Sequence, residues 1–289
     1  MSEILDEPLS ETYRLAGVMG WPVGHSRSPV MHRYWLERHG IEGDYVKLPV
    51  KPENLERALR HLPALGFAGC NVTIPHKEKA LALVDHPDAV ARRIGAVNTV
   101  AVRADGTLEG ANTDAFGFLE NLRSGAPKWR AAAGPAAVLG AGGAARAIVV
   151  GLLDEGVPEI RLTNRTLARA EEIAASFGAR VVVVPWEQRA KALNGAALLV
   201  NATSLGMAGA GALDLLIAAL PKDAIVNDIV YAPLLTPLLL AARERGNPIV
   251  DGLGMLMHQG RPGFAAWFGV KPEVTPELRK RMLATFPAP

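Results

Sequence analysis

A glycine-rich turn between an apolar strand and an apolar helix constrains the fold of this chain more than any other feature. The strand pattern at 136–139 leads into Gly140-Ala141-Gly142-Gly143-Ala144-Ala145, a G-x-G-x-x-A pattern that opens a helix. Gly140 permits the tight turn, Gly142 lets a phosphate approach the backbone, and Ala145 lets the helix pack closely on the strand. The order strand, glycine turn, helix therefore predicts a Rossmann-type dinucleotide-binding unit, although a glycine-rich turn without a ligand is the simpler alternative.

The end of the next strand indicates which dinucleotide is bound. NAD-binding units usually carry Asp or Glu there, because a carboxylate binds the ribose hydroxyls and repels a 2′-phosphate. This chain has no acid at that place; it reads Asn164-Arg165-Thr166, with Arg169 one helical turn later. Two guanidinium groups can bind a phosphate, which favours NADP over NAD. The alternative is that both arginines are solvated charges at a helix start.

Short apolar runs alternate with helical patterns along the whole chain, which predicts an α/β protein built from βαβ units. We expect two lobes: an N-terminal α/β substrate domain, 1–113 plus 252–289, and a doubly wound Rossmann-type domain, 114–251. The first helix is predicted to open with Ser28 as N-cap and Pro29 at N1. Predicted strands cover 14–20, 44–50, 69–73, 97–102, 108–112, 136–139, 160–163, 181–184, 197–200, 224–230 and 249–250, and late helices cover 253–268 and 276–284.

Composition narrows the class of protein. The 289 residues are 49% hydrophobic with a formal net charge of +2, which predicts a globular protein for small-molecule chemistry and no nucleic-acid partner. A single cysteine, Cys70, and seven histidines without zinc-ligand spacing indicate no metal site and a reducing cytoplasm. Residues 1–12 are acidic without an apolar run, so no targeting peptide is expected. The uncharged stretch 194–213 is broken by glycines, so no membrane segment is expected. Monomer and homodimer both stay open.

Hydride transfer to a carbonyl carbon needs a proton partner for the oxygen. Lys77 is the candidate, because it follows the strand end Asn71-Val72-Thr73-Ile74-Pro75-His76, although most lysines are solvated surface residues. Asp114 could orient a lysine or a diol, but an aspartate at a helix start also caps free N–H groups. Ser26 and Ser28 precede a helix N-terminus, which suits a small carboxylate. His25 is a weaker candidate for a general base, since a lone loop histidine is more often structural.

Together these segments resemble the shikimate dehydrogenase family, in collinear order from about Gly17 to Gln259. The blocks that carry the resemblance are 20–29, 71–77, 95–99, 112–114, the glycine loop, 164–166, Asn201-Ala202-Thr203-Ser204-Leu205-Gly206-Met207, Asp228-Ile229-Val230-Tyr231 and 254–259. The resemblance implies reversible reduction of 3-dehydroshikimate to shikimate by NADPH, a step of aromatic amino-acid biosynthesis. One departure is His32-Arg33, where the family commonly has His-Asn, so a helix contact could differ there.

The resemblance also assigns residues to roles. The family's catalytic lysine and aspartate fall on Lys77 and Asp114. Its substrate contacts fall on Ser26, Ser28, Thr73, Asn98, Tyr231 and Gln259. Its cofactor contacts fall on Gly140, Gly142, Gly143, Ala144, Asn164, Arg165, Thr166, Arg169, Met207 and Gly252. Two rival functions stay open: a quinate/shikimate dehydrogenase that uses NAD, and a non-catalytic NADP-binding sensor on the same scaffold.

Overall fold

The structure is a computed structural model that describes residues 12–286. The acidic segment for which no targeting peptide was expected lies outside this range, apart from Thr12. The described chain divides into two compact units, a first unit of residues 12–112 and 260–286 and a second unit of residues 113–259. The predicted divisions follow residues 113 and 251; in the structure the second one falls inside a helix.

The first unit is a mixed sheet with helices between its strands. The sheet order is β2-β1-β3-β5-β6-β4, in which β1 runs parallel to β2 and β3, whereas β5 is antiparallel to β3 and β6. Its elements in chain order are β1 (Arg14–Gly20), α1 (Ser28–His39), β2 (Gly43–Pro49), α2 (Leu55–His61), β3 (Phe67–Val72), α3 (Lys77–Leu83), β4 (His86–Pro87), α4 (Ala89–Ile94), β5 (Thr99–Val102) and β6 (Leu108–Ala111).

The second unit is a six-stranded sheet in which every pairing is parallel, in the order β12-β11-β10-β7-β8-β9. Its elements are α5 (Asp114–Gly125), β7 (Ala136–Leu139), α6 (Gly143–Asp154), β8 (Ile160–Thr163), α7 (Leu167–Phe177), β9 (Val181–Val183), β10 (Leu198–Asn201), β11 (Ile225–Asp228), α8 (Pro237–Glu244) and β12 (Ile249–Val250). The helix α9 (Leu253–Phe268) begins in the second unit and ends in the first, and α10 (Pro276–Leu283) belongs to the first unit.

Alternation along β7 explains why helices cover both faces of the second sheet. Ala136 and Val138 join one buried apolar cluster, whereas Ala137 and Leu139 join another. Side chains alternate between the two faces of a strand, so β7 is buried on both sides, as a doubly wound parallel sheet requires. The prediction of an α/β fold with a Rossmann-type domain is confirmed.

The end of the chain returns to the first unit. Trp267, near the end of α9, is fully buried and donates its indole N–H to the Val100 carbonyl of β5 at 2.9 Å. Trp35 of α1 donates in the same way to the Glu273 carbonyl at 2.9 Å. The two indoles therefore fasten the end of α9 to the first sheet and the α9 to α10 connection to α1.

The predicted cap of α1 is wrong by one residue. Arg27 is the N-cap, with φ −99° and ψ −1°, so Ser28 is already the first helical residue and Pro29 the second. Because Arg27 adopts helical backbone angles, the turn begins earlier than the serine, and no side chain caps the helix. The Ser28 hydroxyl is therefore not used as a helix cap.

Among residues 12–286, none of the helices combines the length and the apolar composition that a membrane span needs.

Candidate active site

The glycine loop after β7 leaves its backbone bare at the start of α6. A side-chain carbon built on Gly142 or Gly143 meets no protein atom within 4 Å, so the space in front of the helix is open. Gly140 has φ +108°, and a Cβ there would lie 3.0 Å from the Ala202 carbonyl oxygen. No side chain caps the helix at Gly142. A bare helix N-terminus with open space in front of it fits a pyrophosphate.

Two arginines follow the adjacent strand, β8. Arg165 and Arg169 are both exposed, and in the part of the chain that the structure describes neither side chain forms a hydrogen bond or an ion pair. Asn164 precedes them and donates its amide to the Thr166 carbonyl at 2.8 Å, which stiffens the turn into α7. Two unpaired guanidinium groups beside a stiff turn fit the 2′-phosphate of NADP.

Three further predicted residues lie beyond the carboxyl ends of β10, β11 and β12. Met207 is exposed on the loop after β10, and half-buried Tyr231 follows β11. Gly252 follows β12, and any side chain there would overlap the Ile229 carbonyl oxygen. In an open parallel sheet this edge is where ligands bind, so the structure brings these residues to the same edge as the glycine loop.

Asp114 and Gln259 lie on two helices of the second unit that pack closely together. Asp114 is the first residue of α5 and its side chain is buried. One turn later Gly117 abuts α9, where a Cβ at Gly117 would lie 2.6 Å from the Gln259 Cβ. This close packing carries Gln259 to the first turn of α5, and Thr113, not Asp114, is the N-cap residue of that helix.

The two serines of the first unit lie between β1 and α1. Ser26 Oγ donates to Ser28 Oγ at 3.3 Å, and the Ser28 backbone N–H donates to Ser26 Oγ at 3.4 Å. Lys47 of β2 donates to the Gly24 carbonyl in the same loop. His25, between these residues, is exposed. The pair of hydroxyls is thereby held at the helix start, where Ser26 Oγ accepts the N–H of the first helical residue.

Thr73, Lys77 and Asn98 lie at one edge of the first sheet. The Thr73 N–H donates to the Met19 carbonyl of β1 at 2.9 Å, and the Val97 N–H donates to the Lys77 carbonyl at 2.9 Å. The half-buried Lys77 is the first residue of α3, whereas Asn98 is buried just before β5. Since β5 is antiparallel to β3, the start of β5 lies beside the end of β3, which brings Lys77 and Asn98 to the same end of the sheet.

Sequence reasoning missed the residues that support Asn98. Asn71 donates its amide to the Asn98 carbonyl and to Thr99 Oγ1, both at 3.1 Å, and Thr99 Oγ1 donates to Asn98 Oδ1 at 3.0 Å. The fully buried Tyr45 donates its hydroxyl to Asn71 Oδ1 at 2.6 Å. Burial raises the pKa of the Tyr45 phenol well above its ordinary value, so it remains a neutral donor. A polar Asn71 inside an apolar strand was the sequence sign of this network.

Tyr45 is itself held by a buried aromatic cluster. The His32 ring stacks on the Tyr45 ring with centroids 3.9 Å apart and an angle of 3° between the planes. Burial lowers the pKa of His32 from 6.5 to about 3, so the imidazole is neutral.

Within the described residues, no group of three or more His, Cys, Asp and Glu side chains is placed to hold a metal ion.

Comparison with known proteins identifies the family. A family model described as the shikimate dehydrogenase substrate binding domain matches residues 18–100, and a second model, shikimate / quinate 5-dehydrogenase, matches residues 128–208. A shikimate dehydrogenase (NADP(+)) from Paramagnetospirillum magneticum is 62% identical over 276 residues, covering 96% of this chain and 100% of that protein. The chain belongs to the shikimate dehydrogenase family. The predictions of the family, of an oxidoreductase acting on a CH–OH group and of NADP as cofactor are confirmed.

Solved shikimate dehydrogenases have the same fold. The shikimate 5-dehydrogenase from Thermus thermophilus, in complex with NADP(H) and shikimate, superposes with a TM-score of 0.84 at 40% identity, covering 94% of this chain and 99% of that one. A quinate dehydrogenase from Corynebacterium glutamicum in complex with NAD superposes with a TM-score of 0.87 at 31% identity, covering 94% and 99%. Because backbone similarity does not separate the two activities, the choice between them depends on side chains.

Proposed function

We propose that this chain catalyses the reversible reduction of 3-dehydroshikimate to shikimate by NADPH, a step of aromatic amino-acid biosynthesis. The observation that carries the proposal is the pair of exposed, unpaired guanidinium groups after β8, next to an uncapped glycine loop. Arg165 and Arg169 stand where an NAD-binding unit usually has an acid. They supply the positive charge that a 2′-phosphate needs and that the diol of NAD does not.

The cofactor site draws on backbone as well as charge. We assign the pyrophosphate to Gly140, Gly142, Gly143 and Ala144, the phosphate-bearing ribose to Asn164, Arg165, Thr166 and Arg169, and the nicotinamide side to Met207 and Gly252. The bound cofactor supplies or accepts the hydride. The open space over Gly142 and the tight packing at Gly252 support the two ends of this assignment.

The proton is assigned to Lys77. In the reductive direction its ammonium donates a proton to the substrate oxygen as the carbonyl becomes a hydroxyl; in the oxidative direction the neutral amine takes that proton back. The hydrogen bond from Val97 to the Lys77 carbonyl fixes the start of α3, so the side chain leaves the sheet edge from a defined point. Asp114 is assigned to orient the substrate hydroxyls, which suits a buried carboxylate at the first turn of a helix.

The remaining substrate contacts suit a polyhydroxylated acid. Ser26, Ser28 and Tyr231 supply hydroxyl donors for the carboxylate, whereas Thr73, Asn98 and Gln259 supply groups that both donate and accept for the ring hydroxyls. The hydrogen bonds that hold Asn98 in place support its assignment, since a fixed carboxamide discriminates better between hydroxyl positions.

Steady-state kinetics with two substrates and two cofactors test the proposal. The enzyme is assayed in the oxidative direction with shikimate and quinate, each with NADP⁺ and with NAD⁺. The highest kcat/KM is expected for shikimate with NADP⁺. Comparable turnover of quinate with NAD⁺ would replace the proposal with the quinate/shikimate alternative, and NADP⁺ binding without any turnover would favour a sensor.

We also propose that the enzyme works in a reducing cytoplasm on small molecules and not on nucleic acid. Cys70 is buried, and burial raises the pKa of its thiol to about 12, so it is neither a disulfide partner nor a reactive thiolate. The net charge of +2 provides no field for a polyanion.

A further inference from the structure

A cluster of three fully buried polar side chains lies at the carboxyl ends of β10 and β11. Asp228 ends β11, Asn201 ends β10, and Thr236 precedes α8. Asn201 Nδ2 donates to Asp228 Oδ1 at 3.0 Å, and Thr236 Oγ1 donates to Asp228 Oδ2 at 2.7 Å. The carboxylate is thus at the centre of the cluster.

The same cluster holds the loop that ends at Met207. Asn201 Nδ2 also donates to the Leu205 carbonyl at 3.1 Å, while Asn201 Oδ1 accepts from the Thr203 N–H at 3.1 Å and from Thr203 Oγ1 at 2.7 Å. The Leu205 N–H in turn donates to Thr203 Oγ1 at 3.1 Å. The conformation of residues 202–207 therefore depends on how the Asn201 carboxamide is oriented.

The segment that carries Tyr231 is fixed from both of its ends. The Val230 N–H donates to Asp228 Oδ1 at 3.0 Å, and Thr236 closes the other end through Asp228 Oδ2. A backbone bond from the Ala208 N–H to the Ala232 carbonyl, 2.9 Å long, joins this segment to the Met207 loop. One carboxylate therefore determines the positions of both loops.

A carboxylate satisfies all three donors at once, because it accepts on both oxygens without presenting a donor. An amide would either face the N–H donors of Asn201 and Val230 with its own N–H, or force the Thr236 hydroxyl to accept and lose this acceptor for its own O–H. No cation neutralises the carboxylate among the described residues, and burial raises the pKa of Asp228 against the opposing effect of its three donors. A buried, unpaired acid is costly, so its presence is explained better by the geometry it imposes than by stability.

We propose that Asp228 is a positioning residue that fixes the Tyr231 segment and the Met207 loop together, and so couples the placement of the substrate to that of the cofactor. The inference rests on the proposed function in taking Tyr231 and Met207 as ligand contacts. Asp228 is fully buried and is assigned no ligand contact of its own.

The test compares Asp228→Asn with Val226→Ala, a variant of a fully buried apolar residue on the same strand that is outside the hydrogen-bond cluster. Asp228→Asn is expected to raise the KM for shikimate about tenfold, with less than about threefold change in kcat, because one buried hydrogen bond is lost. It is also expected to raise the Kd of NADP⁺, measured by calorimetry, about fivefold. Val226→Ala is expected to lower Tm through a cavity and leave both constants unchanged. Equal effects of the two variants on KM and Kd would reduce Asp228 to a structural residue.

A double-mutant cycle with Tyr231→Phe decides whether Asp228 acts through Tyr231. If it does, Asp228→Asn raises the KM for shikimate less than about threefold in the Tyr231→Phe background, because the positioned hydroxyl is already gone. A second tenfold rise would show independent effects and overturn the inference. Absence of shikimate turnover in the unaltered enzyme would instead refute the proposed function. The Kd of NADP⁺ in Asp228→Asn and Val226→Ala would then be the measurement that tests whether Asp228 positions the Met207 loop.

Discussion

The two units present their candidate ligand groups in opposite ways. In the first unit, Asn98 is buried and bonded to neighbouring polar side chains, which in turn are bonded to Tyr45. In the second unit, the glycine loop is bare backbone and Arg165 is exposed without a side-chain partner. The first arrangement fixes donor positions before a ligand arrives, whereas the second offers charge and open space.

This difference matches the chemistry of the two proposed ligands, shikimate and NADP. A small ring with several hydroxyls must be told apart from close analogues, which requires donors in fixed positions. A dinucleotide is recognised through its phosphates, for which helix N–H groups and guanidinium charge are enough. Changes to Asn98 and its hydrogen-bond partners should therefore alter substrate discrimination, whereas changes to the glycine loop and Arg165 should alter cofactor affinity.

The largest expected effect is that of Lys77→Ala. The variant loses the group assigned to move the proton, so kcat should fall on the order of 1000-fold with modest change in the KM for shikimate. Lys79→Ala, an exposed lysine on the same helix, is the matched control and should be unaffected. Stopped-flow measurement of NADPH formation checks both; near-normal kcat in the Lys77 variant would remove this lysine from the mechanism.

The next effect separates the two cofactors. Arg165→Ala should raise the KM for NADP⁺ by about 10-fold to 100-fold, the loss of a charge-assisted hydrogen bond to phosphate, and change the KM for NAD⁺ less than about twofold. Arg243→Ala, also exposed and on α8 of the same unit, provides the control. Equal losses for NADP⁺ and NAD⁺ would refute the phosphate assignment.

Two glycines of the loop should separate folding from binding. Gly142→Ala has room for its methyl group, so Tm should hold while the KM for NADP⁺ rises about tenfold, because the methyl group stands where the pyrophosphate approaches. Gly140→Ala should also lower Tm by about 3 to 6 °C, since its φ of +108° disfavours a side chain. Differential scanning fluorimetry and kinetics distinguish the two; a large Tm loss in Gly142→Ala would contradict the open loop.

The smallest effect concerns stability in acid. Folding lowers the pKa of His32 from 6.5 to about 3, so between these pH values the imidazole is protonated in the unfolded chain and neutral in the folded protein. The contribution of the neutral imidazole to the free energy of unfolding is therefore complete above pH 6.5 and is lost as pH falls from 6.5 towards 3. His32→Phe should weaken this acid loss of Tm, and His61→Gln, at an exposed position, should not. If Tm falls equally steeply with decreasing pH in His32→Phe and in the unaltered protein, the result would argue against a buried neutral imidazole.

Strand bounds were predicted well in the second unit, which is the all-parallel one. The strands β7, β8 and β12 have the predicted bounds, because each is a short apolar run that ends at a glycine, a polar turn or a helix start. In the first unit the two-residue strand β4 was not predicted, because His86-Pro87 has no periodicity, and its pairing with β6 depends on tertiary structure.

The residues of the candidate site also fall into those that a local sequence motif reveals and those that only the folded chain brings together. Residues in local motifs, such as Lys77 and the glycine loop, could be proposed from order along the chain. The support of Asn98 could not, because Tyr45 and Asn71 are 26 positions apart and meet only once β2 and β3 lie on either side of β1. The hydrogen bond from Thr236 to Asp228 likewise forms only after the chain has folded back.

A crystal structure with shikimate and NADP⁺ bound would show whether Asn98 and the other fixed polar groups bind the acid while the glycine loop and Arg165 bind the dinucleotide. We expect the shikimate carboxylate on Ser26 and Ser28, a shikimate hydroxyl within hydrogen-bond reach of Lys77 Nζ, and the 2′-phosphate on Arg165. A shikimate hydroxyl out of reach of Lys77, or a 2′-phosphate away from both Arg165 and Arg169, would contradict these assignments.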